Sequence, residues 1–166
     1  MPNYLKRLSI ITAVIFLALA FTRQAQAALK PGDLAMDFKL QDLNQGTVSL
    51  SDYKGKPVLL FFWTTWCPFC RTGLKELLKL QPELKQKQLQ LLTLNAGEPA
   101  EKVKSFAQSF GLNFTVLLDK GLTVSEAYDV LGVPTYVLID KNGLIIFADH
   151  YFPKDMLEEF TPQQNG

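Results

Sequence analysis

The chain has two cysteines, Cys67 and Cys70, in Trp66-Cys67-Pro68-Phe69-Cys70. Thiols three residues apart can open and close a disulfide, provided that the first is held as thiolate and the second lies within reach of it. Their position supplies both conditions. Six consecutive apolar residues, 58–63, precede the pair, and Leu74, Leu77, Leu78, Leu80 and Leu84 follow it at helical spacing. The pair is therefore expected where a buried strand passes into a helix. A thiol there faces unpaired backbone N–H groups and the positive end of the helix dipole, both of which favour the thiolate. Cys67, being first, is expected to be the exposed nucleophile. Cys70, one turn inward, is expected to resolve a mixed disulfide formed on Cys67. Pro68 suits the first helical turn, where its missing N–H costs nothing. Phe69 brings no charge, so stabilisation of the thiolate rests mainly on the helix terminus.

Other uses of two thiols compete with exchange. A purely structural disulfide would close a ring too short to remove much chain entropy. Structural zinc needs about four ligands, and beyond the two thiols the chain has only one histidine, His150. No metal site or cofactor is expected beyond a redox-active Cys67–Cys70 disulfide. Copper(I), which suits soft sulfur ligands, is the remaining alternative.

The elements that must position the pair are legible from pattern. Residues 36–40 and 47–50 alternate around Asp42-Leu43-Asn44-Gln45-Gly46, as two strands of a hairpin do. The unalternating run 58–63 predicts a strand buried on both faces. The helix after the cysteines is expected to run toward Gln81-Pro82 and to kink there. Residues 89–95 and 114–118 read as further strands. Between them a helix is expected from Pro99, as its first residue, to Phe110, stopped by Gly111. Thr123-Val124-Ser125-Glu126 has capping-box spacing for a short helix through Val130. Residues 136–139 and 144–148 flank Asp140-Lys141-Asn142-Gly143, a hairpin signal, and a last helix is expected over 153–160. In Gly132-Val133-Pro134-Thr135, the proline cannot donate to a sheet and so belongs at a strand start, where trans is the ordinary state and cis is tolerated. Strands alternating with helices in this order predict a three-layer α/β/α sandwich with a central mixed sheet and an N-terminal β-hairpin.

Composition sets the class. The 166 residues are 48% hydrophobic and 20% charged, with mean hydropathy +0.07, which excludes intrinsic disorder and fits about one domain. A net charge of +1 without a basic stripe argues against a nucleic-acid partner. The basic start of the chain, the apolar run 8–21 and Ala25-Gln26-Ala27 are the successive parts of a secretory signal peptide. Residues 1–27 are therefore expected to be cleaved, and 28–166 to form the folded domain. An uncleaved membrane anchor through residues 8–21 is the alternative, although about 20 helical residues are needed to span a bilayer. Without Lys6, Arg7 and Arg23 the remainder is mildly acidic.

Over residues 33–155 the chain resembles the thioredoxin superfamily, and within it the secreted TlpA/ResA-like thiol-disulfide oxidoreductases. The resemblance is carried in order by Phe62-Trp63-Thr64-Thr65-Trp66-Cys67-Pro68-Phe69-Cys70, Asn95-Ala96-Gly97-Glu98, Ala127-Tyr128-Asp129-Val130 and Gly132-Val133-Pro134-Thr135. It implies that Val133-Pro134 is cis and lies beside the cysteines, where the Val133 backbone pairs with an extended substrate. It also implies that Glu98, otherwise a solvated acid at a helix start, lies near the thiols with a raised pKa and exchanges protons with Cys70. The implied catalytic set is Cys67, Cys70 and Glu98, and the substrate contacts are Trp66, Pro68, Phe69, Val133 and Pro134. Trp63 is expected in the core and His150 on the surface without a role. One departure is Phe61, which stands where thioredoxins carry a buried aspartate.

The activity so implied is exchange with protein thiols and disulfides outside the cytoplasm, in a periplasmic or membrane-anchored form. The direction is mostly reductive, as in preparing apocytochrome c for haem attachment, with a membrane thiol-disulfide donor and no required oligomer. A peroxiredoxin-type thiol peroxidase is the enzymatic alternative, since Thr64-Thr65-Trp66-Cys67 matches Thr-x-x-Cys. Leu60 replaces the proline of that pattern, and no arginine matches its peroxide site. The non-enzymatic alternative is a copper(I) metallochaperone.

Overall fold

In the computed structural model, residues 29–157 are described; the expected leader 1–27 and the chain beyond residue 157 lie outside them. The elements in order are β1 (Lys39–Asp42), β2 (Thr47–Ser49), a 3-10 turn (Leu50–Tyr53), β3 (Val58–Trp63), α1 (Pro68–Gln86), β4 (Gln90–Ala96), α2 (Ala100–Phe110), β5 (Thr115–Asp119), α3 (Thr123–Ala127), β6 (Thr135–Ile139), β7 (Ile145–Asp149) and α4 (Lys154–Leu157). The strands form one mixed sheet in the order β2-β1-β5-β4-β3-β6-β7. β3, β4 and β5 run parallel, and β6, β7 and the β1–β2 hairpin pair antiparallel on either side. This is the predicted sandwich with its N-terminal hairpin.

All six residues of β3 are buried, which explains the unbroken apolar run. Leu59, Phe61 and Trp63 face one core with Leu74, Leu77 and Leu84 of α1 and Val103 of α2. Val58, Leu60 and Phe62 face a second core with Phe38, Leu92, Leu94, Leu117 and Val124. Phe61, at the position of the missing aspartate, is fully buried and packs on the Tyr136 ring at 4.6 Å.

Some helix ends differ from the local expectations. α1 runs through Pro82 to Gln86, with Leu84 buried beyond the proline. Pro99 is the cap of α2 rather than its first residue. Thr123 does not cap α3; the buried Asp119 carboxylate accepts the N–H groups of Val124 and Ser125, at 3.3 and 2.7 Å, and the Ser125 hydroxyl at 2.7 Å. α3 ends at Ala127, short of Val130. The predicted turn at 140–143 forms, with Asp140 Oδ1 accepting the N–H groups of Asn142 and Leu144, both at 2.8 Å.

α1 lies so close to the sheet that a Cβ at Gly73 would collide with the Tyr136 hydroxyl and come within 3.1 Å of Phe61 Cζ. Gly73→Ala is therefore expected to cost about 1–3 kcal/mol through overpacking. A urea unfolding midpoint lowered at unchanged m-value checks this, and an unchanged midpoint would contradict it.

Candidate active site

The site forms at the C-terminal ends of β3 and β4, where Trp63 and Asn95 are register partners. β3 delivers the segment Thr64-Thr65-Trp66 directly into α1, whose cap is Cys67 and whose first residue is Pro68. Cys67 and Cys70 are disulfide-bonded with Cα atoms 5.2 Å apart. The Cys70 N–H, one of the amides a helix start leaves unpaired, donates to Cys67 Sγ at 3.1 Å. When the pair is reduced, the same N–H opposes protonation of Cys67.

Val133-Pro134 is cis, as the resemblance implied. The Val133 carbonyl oxygen lies 3.6 Å from Cys67 Sγ, so the segment between α3 and β6 does meet the cysteines. Cys67 is less open than its place at the head of the helix suggested. It is only 3% exposed, because its sulfur is bonded to Cys70 on one side and faces Val133 on another. The exposed side chains around the pair are instead Trp66, at 65%, Phe69, at 77%, and Pro68. Trp63 is fully buried, as expected.

Glu98 is held by four groups. Oε2 accepts the Thr65 N–H at 2.6 Å and Asn95 Nδ2 at 2.8 Å, while Oε1 accepts the Thr65 hydroxyl at 2.7 Å and pairs with Lys102 Nζ at 2.7 Å. Gly97 aims this residue: it takes up a left-handed conformation, φ +73°, in which a side chain would be strained and would crowd Leu122 at 3.1 Å. The raised pKa implied for Glu98 is reversed. Burial pushes the carboxyl up, but hydrogen bonds from Asn95, Lys102 and Thr65 favour the ionised form more strongly and hold it below the usual glutamate value.

Thr65 is gripped from its other side as well. Arg71 donates to the Thr65 carbonyl through Nε and Nη2, at 3.1 and 2.9 Å, with its guanidinium 5.6 Å from the Phe106 ring centre. Thr65, Arg71, Asn95 and Lys102 are site residues that sequence reasoning passed over. The spacing of Glu98 and Lys102, one helical turn apart, was a readable signal; nothing local pointed to the others. A further unexpected neighbour is His150, whose Nδ1 lies 2.7 Å from the Pro134 carbonyl oxygen.

This arrangement can stabilise a thiolate at Cys67, reclose the disulfide through Cys70 and present an extended backbone beside the sulfur. The family model described as the AhpC/TSA family matches residues 31–148. The chain is 36% identical over 160 residues to a thiol-disulfide oxidoreductase ResA of Halalkalibacterium halodurans, covering 93% of this chain and 90% of that one. It is 39% identical over 148 residues to the ResA of Geobacillus kaustophilus, covering 83% and 84%. Among solved structures, a putative thiol:disulfide interchange protein DsbE from Chlorobium tepidum superposes with a TM-score of 0.72 at 33% identity, covering 80% of this chain and 96% of that one. With its paired cysteines at the head of α1, the chain belongs to the AhpC/TSA family, among the thioredoxin-like, ResA-type thiol-disulfide oxidoreductases.

Proposed function

We propose that the protein reduces disulfides of other proteins outside the cytoplasm, as in readying apocytochrome c thiols for haem attachment. The observation that carries this reading is the surroundings of Cys67 Sγ, with the Cys70 N–H at 3.1 Å and the Val133 carbonyl oxygen at 3.6 Å. The first favours the attacking thiolate, and the second lies where an extended substrate strand, paired with Val133, brings its own sulfur alongside.

The cycle starts from the dithiol. The Cys67 thiolate attacks one sulfur of the substrate disulfide, forming a mixed disulfide and releasing the other sulfur as a thiolate that takes up a proton. Cys70, deprotonated, then attacks Cys67 Sγ and releases the second substrate thiol. The substrate gains two electrons and the Cys67–Cys70 pair loses them, with no further cofactor. A membrane thiol-disulfide donor returns the pair to the dithiol. Trp66, Pro68 and Phe69 supply an apolar rim for the partner, beside Val133 and Pro134. Residues 1–27 act as the export signal, with an anchor through residues 8–21 as the uncleaved form. Glu98 serves as a positioning residue: its ionised carboxylate fixes Thr65, and with it the segment that carries Cys67.

Cys67→Ser is expected to abolish reduction of a protein disulfide, whereas Cys70→Ser accumulates a mixed disulfide on Cys67, seen as an adduct by intact-mass spectrometry. Absence of that adduct would exclude Cys67 as the nucleophile, and peroxide turnover or retained copper(I) would redirect the reading to the competing chemistries.

Glu98→Gln is expected to cost about 1–3 kcal/mol at pH 7, through the loss of charge-assisted hydrogen bonds to Thr65, Asn95 and Lys102. The folded state binds this proton less tightly than the unfolded chain does. The stability contributed by Glu98 is thus fully present above the ordinary glutamate pKa of about 4.3 and lost as the pH falls through the depressed folded value. Urea unfolding of both forms should show the deficit at pH 7 and its shrinkage below about pH 4. A gap that widens in acid would reverse the assignment.

A further inference from the structure

His150 takes no part in the exchange just described. It stands one residue beyond β7, and its ring crosses to the segment that precedes β6. Nδ1 lies 2.7 Å from the Pro134 carbonyl oxygen and 3.3 Å from Thr135 Oγ1. The partners decide which atom donates. A carbonyl oxygen only accepts. The single hydroxyl proton of Thr135 is committed to the Gly132 carbonyl at 2.7 Å, so Oγ1 offers Nδ1 a lone pair. Both contacts therefore require the proton on Nδ1, in the neutral ring as in the charged one. The ring edge also borders Gly132, where a Cβ would sit 4.0 Å from His150 Cε1. One imidazole thus binds the C-terminal half of a four-residue segment in which the Val133 carbonyl oxygen lies 3.6 Å from Cys67 Sγ.

We infer that His150 is a positioning residue for substrate docking: its Nδ1–H holds the Pro134 carbonyl and the Thr135 hydroxyl, and through them sets the Val133 backbone against which a substrate strand pairs. This rests on the proposed pairing of substrate with Val133 and adds the group that makes that edge ready. Holding the edge in its binding conformation removes an ordering cost from association. The thiol chemistry itself depends on Cys67 and the start of α1, neither of which His150 touches in the contacts described. The consequence is a split between substrates. A polypeptide disulfide that must lie along Val133 feels the loss of His150, and a small aromatic disulfide that needs no strand pairing does not.

The test compares full-length wild type, His150→Ala and His150→Asn on an extended peptide disulfide and on 5,5′-dithiobis(2-nitrobenzoate). His150→Ala should raise KM for the peptide about 3- to 10-fold, the range that loss of one or two hydrogen bonds allows. kcat on both substrates, KM for the small disulfide and the reduction potential should stay unchanged. His150→Asn, whose amide N–H can replace Nδ1–H, should recover most of the difference. Equal losses on both substrates, or no loss on either, would overturn the inference. Nitrogen-15 spectra of the ring in the oxidised wild type give a second reading that needs no activity: the neutral ring should carry its proton on Nδ1, and a proton on Nε2 would overturn the inference. Should the wild type reduce neither disulfide, the exchange reading itself fails, and the ring spectrum still decides whether His150 holds the segment.

Discussion

The site depends on β3 being buried on both faces. A strand with Leu59, Phe61 and Trp63 in one core and Leu60 and Phe62 in the other has no freedom to slide or tilt, since either motion would expose apolar surface on one side or overpack the other. Its C-terminal end is therefore a fixed point, and the three residues between Trp63 and Cys67 leave little room for Cys67 to wander. α1 then lies against the same strand, closely enough that only glycine fits at position 73. The thiol and the helix start that stabilises its charged form are two ends of one packed unit.

From that fixed point, a polar network completes what packing alone leaves loose. The linker residue Thr65 uses its N–H and hydroxyl on Glu98 and its carbonyl on Arg71. Glu98 enters from the loop between β4 and α2, and Arg71 from the first turn of α1. The linker is thus tied to the elements on both sides of it. A carboxylate receiving four donors is satisfied enough to be buried while charged, which an isolated one would not be. Glu98 stands on a different element from the buried aspartate of thioredoxins, whose place Phe61 fills, and its hydrogen bonds favour the ionised form.

A separate stretch of chain meets the cysteines from the other side. Gly132 to Thr135 brings Val133 to Cys67 and is itself tied internally by Thr135 and externally by His150. The two sides of the site therefore have different supports: Cys67 rests on the apolar core and the network around Glu98, and the adjoining backbone edge on the hydrogen bonds of Thr135 and His150.

Much of this was legible in the residues themselves. The run 58–63, the leucine spacing after Cys70, Gly111 at the end of α2 and the Asp140-Lys141-Asn142-Gly143 turn are local signals, because periodicity, caps and tight turns are settled between residues within a few positions of one another. For the same reason the pairing of Cys67 with Cys70 and the place of Pro68 at the helix start could be read directly. What the fold alone decided lies at long separation. The bonds from Thr65 to Glu98 span 33 positions, the approach of Val133 to Cys67 spans 66, and that of His150 to Pro134 spans 16. Those contacts gave Glu98 the donors that favour its ionised form, helped bury Cys67 and gave His150 its neighbours, whereas the cap of α3 passed to Asp119 over only five and six positions. The sequence by itself determined which elements form and where the thiols stand among them; the tertiary structure decided charge state, exposure and hydrogen-bond partners, because these depend on neighbours that only the packed sheet brings together.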